Sequence, residues 1–241
     1  MSGPRRELPY VTIAAVVPCP AGWLSVSARI VGVTVVVEEP RSYATFVEVL
    51  DHRPRFATIA LASPVGLPDE PTGGYRRADE AARAHLPWKL RVTVPRVPCK
   101  EALYAPSLEA AQVIEPWVTL AEYRRFFQWR EVDSELQPFH QRTVFSGLPE
   151  LSYGLLAGEG GLKTTPNTPE GQRERIDLID KRIPGVRTAV EDCDLRGVDI
   201  RHLVDAAGLL WTARRIQGRV LTRFPQDPQW NEDGLRIEVV C

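Results

Sequence analysis

The sequence predicts an α/β fold in which three antiparallel strands are followed by a helix and a parallel strand. Three observations carry this reading. Tyr10–Val17 is almost continuously apolar, as a strand covered on both faces requires. Leu24, Val26, Ala28 and Ile30 alternate with Ser25, Ser27 and Arg29, and Val31–Glu38 repeats the alternation around Gly32, which makes a meander. Ser42–Leu50 then places Phe46, Val49 and Leu50 at helical spacing before another apolar run of strand length, Arg55–Ser63. A right-handed crossover returns that strand beside the first, so that the strand ends near Val17 and Ala62 become neighbours.

The remaining elements follow in order. "RRADEAARAHL", Arg76–Leu86, reads as a helix. Residues 86–106 hold Pro87, Pro95, Pro98 and Pro106 and read as a loop or edge excursion. A helical region from about Ser107 to Glu131 is interrupted near Pro116, and "RTVFSGLPELSYGLLAG" reads as a strand ending near Ser146 that feeds a helix after Pro149. Thr168 and Pro169 form a helix start in which the threonine caps an orphan donor and the proline has none to satisfy. The last helix starts with Asp199 as N-cap and carries Ile200, Leu203, Val204, Ala207, Leu210 and Trp211 on one face. "GLRIEVV" closes the chain as a strand.

At 241 residues, 44% hydrophobic and 25% charged, the chain has the composition of a globular protein and is expected to form a single domain, 1–241. A net charge of −1 gives no whole-molecule hint of nucleic acid. Of the 30 basic residues 26 are arginine, an excess read as coding bias. Cys19, Cys99, Cys193 and Cys241 lack paired spacing, so neither zinc nor a disulfide framework is suggested, and a reducing, cytoplasmic setting is expected. The opening "MSGPRRELPY" lacks an apolar signal core, and no run is long enough to span a membrane.

Seven motifs carry a resemblance: "CPAGW", "SPVGLPD", "REVD", "LPELSYGLLAG", "TPEGQRER", "DAAGLLWTARR" and "GLRIEVV". In this order they resemble the predicted RNase H-like nuclease family, domain of unknown function 429, over roughly Ala14–Val240. The resemblance implies an RNase H-like mixed sheet flanked by helices. It also implies carboxylates at adjacent strand ends and on the last helix, binding two divalent metals for phosphodiester hydrolysis.

This chain departs from the family at those positions. Val17 stands where the family's first strand ends in Asp. Ala62 in "ASPVGLP" stands at the acidic position of Asp-Ile-Pro-Ile-Gly-Leu-Pro, although Pro64, Gly66, Leu67 and Pro68 are kept. In "SGLPE", Ser146 and Leu148 replace the Glu and His of Glu-x-His-Pro-Glu, and only Glu150 remains. On the last helix Asp205 and Ala206 survive after His202, a local pattern also similar to RuvC-type resolvases.

The resemblance and its departures together imply a degenerate protein without two-metal activity, retained for binding or interaction, with Asp205 and Glu150 as catalytic remnants. No cofactor is then expected. The alternative is an active nuclease taking Mg2+ or Mn2+ at a displaced site built from Asp69, Glu70, Glu150 and Asp205.

Each of these residues also has a plain structural reading. Asp69 and Glu70 suit a turn. Glu150 suits the first turn of a helix. Asp205, about 150° from the apolar stripe, suits solvent. Arg214 and Arg215 are candidates for nucleic-acid phosphates, with the solvated end of a helix as the other reading. Arg173 and Arg175 read as intrahelical partners of the acids around them. The alternative partner is another protein, met by the proline-rich segment through Trp88 and Tyr104; the sequence sets no oligomeric state.

Overall fold

A computed structural model describes residues 9–241; the opening stretch Met1–Leu8, part of the polar terminus read above, lies outside them. Strand β1 (Val11–Cys19) is central, and its side chains alternate between two buried faces. Ile13, Ala15, Val17 and Cys19 enter one cluster, and Ala14 and Val16 enter another. This double burial is why the segment reads as continuously apolar.

A two-residue turn at Pro20-Ala21 leads into β2 (Gly22–Val31), antiparallel to β1 from Cys19↔Gly22 to Val11↔Ile30. Gly22 has φ 114°, and a Cβ there would sit 2.3 Å from the carbonyl oxygen of Tyr43, so only glycine fits. Strands β3 (Thr34–Val37) and β4 (Arg41–Tyr43) both pair with β2, one at each end. The expected helix over Ser42–Leu50 is therefore shorter, because Ser42 and Tyr43 belong to β4. Helix α1 (Phe46–Leu50) begins only after Thr45, whose side chain caps the amide of Glu48.

The crossover returns as expected. Strand β5 (Thr58–Leu61) lies parallel to β1, and β6 (Val144–Ser146) parallel to β5, giving the order β3-β2-β1-β5-β6. The backbone ladder continues past the strands through Ala62 N to Val16 O and Gly147 N to Leu61 O. Val17, Ala62 and Ser146 thus lie at the carboxyl ends of three neighbouring strands.

Between β5 and β6 runs a helical excursion: α2 (Arg77–Ala84), a 3-10 turn at Trp88–Thr93, α3 (Lys100–Leu103), α4 (Leu108–Ile114) and α5 (Leu120–Glu135). The proline-rich segment is thus not wholly loop: Leu90, Val94, Val97 and Leu103 are buried and order it. A second 3-10 turn at Pro138–Arg142 precedes β6.

After β6 come α6 (Pro149–Ala157), α7 (Pro169–Asp180), α8 (Val186–Glu191) and α9 (Ile200–Gln217). A short 3-10 turn, Gly158–Gly160, follows α6. The N-caps Thr168 and Asp199 are as expected, each accepting from a backbone amide of its helix. Helices α6 to α9 cover one face of the sheet, with Leu203, Val204, Ala207 and Leu210 of α9 over β1 and β2. Helix α1 and the end of α5 cover the other through Phe46, Val49 and Val132.

"GLRIEVV" supplies β8 (Arg236–Val240), but its partner is β7 (Arg223–Trp230) in a separate antiparallel pair. Gly147↔Val240 is a single bridge toward β6. Among the described residues no helix is long and apolar enough to cross a membrane.

Candidate functional site

The carboxyl ends of β1, β5 and β6 open into a cavity of about 870 Å³ whose floor includes Val17, Ala62 and Ser146. Helix α6 starts on one side of it, the first turns of α9 on another, and α5 crosses the mouth. Such a crevice beyond the strand ends is where open α/β sheets place ligands, because backbone ladders stop there and loops diverge.

The floor carries little charge. Val17 is buried, and Ser146 donates its hydroxyl to the carbonyl of Ser63 at 2.8 Å. Cys19 also lines the cavity, but burial pushes its thiol pKa up, against the thiolate a nucleophile needs. Pro64–Pro68 bends away under the control of Arg76. This buried guanidinium binds both oxygens of Asp79 and donates to the carbonyls of Val65 and Gly66. Gly66 is needed in that loop, since a Cβ would lie 2.7 Å from the carbonyl oxygen of Arg236.

Three carboxylates line the cavity, and each meets an arginine: Asp79 is the one bound by Arg76, and the other two are Glu150 and Asp205. Glu150, in the first turn of α6, receives hydrogen bonds from Arg175 Nε (2.9 Å) and Nη2 (2.5 Å) of α7. Arg175 is fully buried and also donates to the carbonyl of Gly171. Its partner thus lies on another helix, which corrects the reading of Arg175 as an intrahelical pair. The sequence placed acids around it on α7 but gave no sign of the contact with α6.

Asp205 is held by Arg201, one turn earlier on α9, whose Nε donates to Oδ2 at 2.9 Å. Oδ1 lies 2.9 Å from the same nitrogen without hydrogen-bonding geometry, and accepts no hydrogen bond. The side chain is 21% exposed, so the solvated reading of Asp205 is corrected. The apolar stripe of α9 faces the sheet, while Asp205 turns toward α6 and the cavity. Burial raises its pKa from 3.8 to about 6; the charge and hydrogen bond of Arg201 oppose the rise, Glu150 adds to it, and Arg175 opposes it. Arg201 also binds Asn167 and reaches to 4.0 Å from Glu150, so one guanidinium stands between the two acids. His202 lines the cavity, but its Nδ1 accepts from the amide of Asp199 as part of the cap of α9.

The other candidates lie elsewhere. Asp69 accepts the amide of Glu232 at 3.2 Å, tying its loop to the turn between β7 and β8, and Glu70 is exposed beside it. Neither lines the cavity, so the displaced four-carboxylate site is not assembled. Arg214 and Arg215 occupy the last turn of α9, about 15 Å along the helix from Asp205. Arg214 donates to the carbonyl of Arg182, and Arg215 lies over the ring of Trp211 at 4.7 Å.

The donor set does not fit Mg2+ or Mn2+. Such ions want several free oxygen ligands in a near-octahedral shell. Here the carboxylates are Asp79, both of whose oxygens are taken by Arg76, Glu150, both of whose oxygens are taken by Arg175, and Asp205, with a single oxygen that accepts no hydrogen bond. Among the described residues no group of three or more His, Cys, Asp or Glu is placed to hold a metal ion.

Fold and site define the chain as a mixed α/β protein with an arginine-paired cavity at the ends of its parallel strands. Residues 17–230 match the family model described as "Protein of unknown function (DUF429)", and the chain belongs to that family. Comparison with curated proteins and with solved structures finds no match.

Proposed function

We propose that this chain is a degenerate, non-catalytic RNase H-like member of the family, kept for binding in the strand-end cavity. The observation that carries the reading is the pairing of all three cavity carboxylates, Asp79, Glu150 and Asp205, with Arg76, Arg175 and Arg201. A two-metal hydrolase needs uncommitted anionic oxygens at this point. Guanidinium groups here occupy the carboxylates a metal would use, and the three strand ends contribute Val17, Ala62 and Ser146. Removing ligands while keeping the cavity leaves a concave surface of the size that holds small ligands.

The test is hydrolysis of labelled RNA and DNA, single- and double-stranded, in excess Mg2+ or Mn2+. No cleavage above a no-protein control is expected. Metal-dependent cleavage by the purified chain that disappears in Asp205→Ala overturns the reading in favour of an active nuclease.

A further inference from the structure

From the cavity's unmatched groups we infer that its ligand is a phosphate monoester carrying hydroxyl groups, of sugar-phosphate to mononucleotide size. The inference rests on the reading of the cavity as a binding site and adds the chemistry of what is bound.

Two kinds of uncommitted group line the cavity, at different places. Arg124 and Arg125, adjacent on α5, are exposed at the mouth, and neither is engaged by a carboxylate among the described residues. Their positions are set from below: Gln128, one turn further on, donates to the carbonyls of Cys19 and Gly22 and fixes α5 against the β1–β2 turn. On the inner wall, Ser63 Oγ is a buried atom without a hydrogen-bond partner, Ser63 being only 4% exposed, and Asp205 Oδ1, 2.9 Å from Arg201 Nε in their ion pair, accepts no hydrogen bond. A buried polar atom left unpaired is costly, so two of them on one cavity wall call for a donor from the ligand or its water.

The two ends specify complementary chemistry. A pair of free guanidiniums matches a dianion, and a phosphate monoester carries about −1.5 to −2 charge at pH 7 where a lone carboxylate carries −1. Arg124 and Arg125 therefore select the phosphate. The acceptors Asp205 Oδ1 and Ser63 Oγ select hydroxyl donors on the rest of the molecule. Helix α6 opens on the same cavity with no side chain capping its first amides, although Glu150 in its first turn tempers that end's appeal to an anion. The volume of about 870 Å³ admits a sugar phosphate or a nucleoside monophosphate, which share this chemistry.

The experiment is calorimetric titration of the full chain with ribose 5-phosphate and with adenosine 5′-monophosphate, against ribose, adenosine and inorganic phosphate. Saturable binding of at least one phosphate ester, about tenfold or more tighter than its phosphate-free counterpart and than inorganic phosphate, is expected. Which ester binds better separates the two sources. Arg124→Ala with Arg125→Ala, both exposed and free of structural partners, should weaken the ester about tenfold or more and leave thermal unfolding unchanged. Ser63→Ala should weaken it less, and should weaken ribose 5-phosphate and ribose by the same factor.

Failure of both esters to bind, or binding unaffected by loss of both arginines, overturns the inference. Neither result touches the absence of cleavage, and cleavage would leave the binding data standing, so the two proposals fail separately.

Discussion

On the α6 side of the cavity, Glu150 is 2% exposed and both of its oxygens are held by a guanidinium that is itself fully buried. On the α9 side, Asp205 has the same kind of partner, but one oxygen is unmatched and Arg201 is partly open to solvent. The same chemistry thus serves two ends. A saturated bidentate pair joins α6 to α7 and adds no capacity for a ligand. A half-satisfied pair within one helix leaves one acceptor over beside the cavity, and burial of that carboxyl raises its pKa. A pair's function here depends less on its members than on how many oxygens it leaves over.

The largest effect expected from this contrast is at the locked wall. Arg175→Ala leaves Glu150 buried and uncompensated, which costs about 3–5 kcal/mol. Urea unfolding at neutral pH reads this directly. Replacing both partners, Arg175→Met with Glu150→Leu, should recover most of the loss, because apolar residues of similar size remove the stranded charge. A single variant that loses less than about 1 kcal/mol would show that the pair is solvated after all, and the two walls would no longer differ.

The open wall predicts a pH dependence. The folded pKa of Asp205, about 6, lies above its ordinary 3.8. A raised folded pKa means that the native state binds the proton more tightly than the unfolded chain. The stabilisation is therefore full below about pH 4 and is lost as pH rises through 6. A shift of this size is worth on the order of 2–3 kcal/mol. Burial sets it first, and the charged groups around it are Arg201 on its own helix, Glu150 on α6 and Arg175 on α7. Relative to Asp205→Asn, which carries no proton to lose, the wild type should become less stable between pH 4 and 7. Unfolding free energies of both proteins at those two pH values decide it: an unchanged difference would mean that Asp205 titrates as a solvated acid.

Sequence reasoning reaches some of this and stops at a definite place. The strand order, the crossover and the caps at Thr168 and Asp199 were legible because each depends on local pattern: apolar alternation, helical spacing, and an oxygen placed before a helix. The place of Val17, Ala62 and Ser146 at the strand ends was legible because strand ends are fixed once the strands are. The arginines were not. Arg175 reads as one charge among several on α7, and only the packing of α7 against α6 selects Glu150 for it. Arg124 and Arg125 lie in an excursion of 82 residues between β5 and β6 (62–143), and no periodicity says that α5 returns across the strand ends. Strand β7, with Pro225 and Pro228, has the composition of a loop and is held by its register with β8.

The smallest effect tests how the locked wall is built. Arg175 reaches Glu150 from the second turn of α7, so the start of that helix sets its height over α6. Thr168 holds the start: its hydroxyl accepts the amide of Gly171, and Gly171 is packed so closely on the carbonyl of Thr165 that a Cβ would lie 1.7 Å from that oxygen. Thr168→Ala removes the cap and should cost about 1 kcal/mol, with Thr168→Ser restoring most of it. Because Arg175 is also anchored by the carbonyl of Gly171 within the same turn, the loss should extend to the Glu150 pair. In the Arg175→Met, Glu150→Leu background the same Thr168→Ala change should therefore cost less. Equal costs in the two backgrounds would make the cap and the pair independent, and the locked wall would owe its geometry to α6 and α7 packing alone.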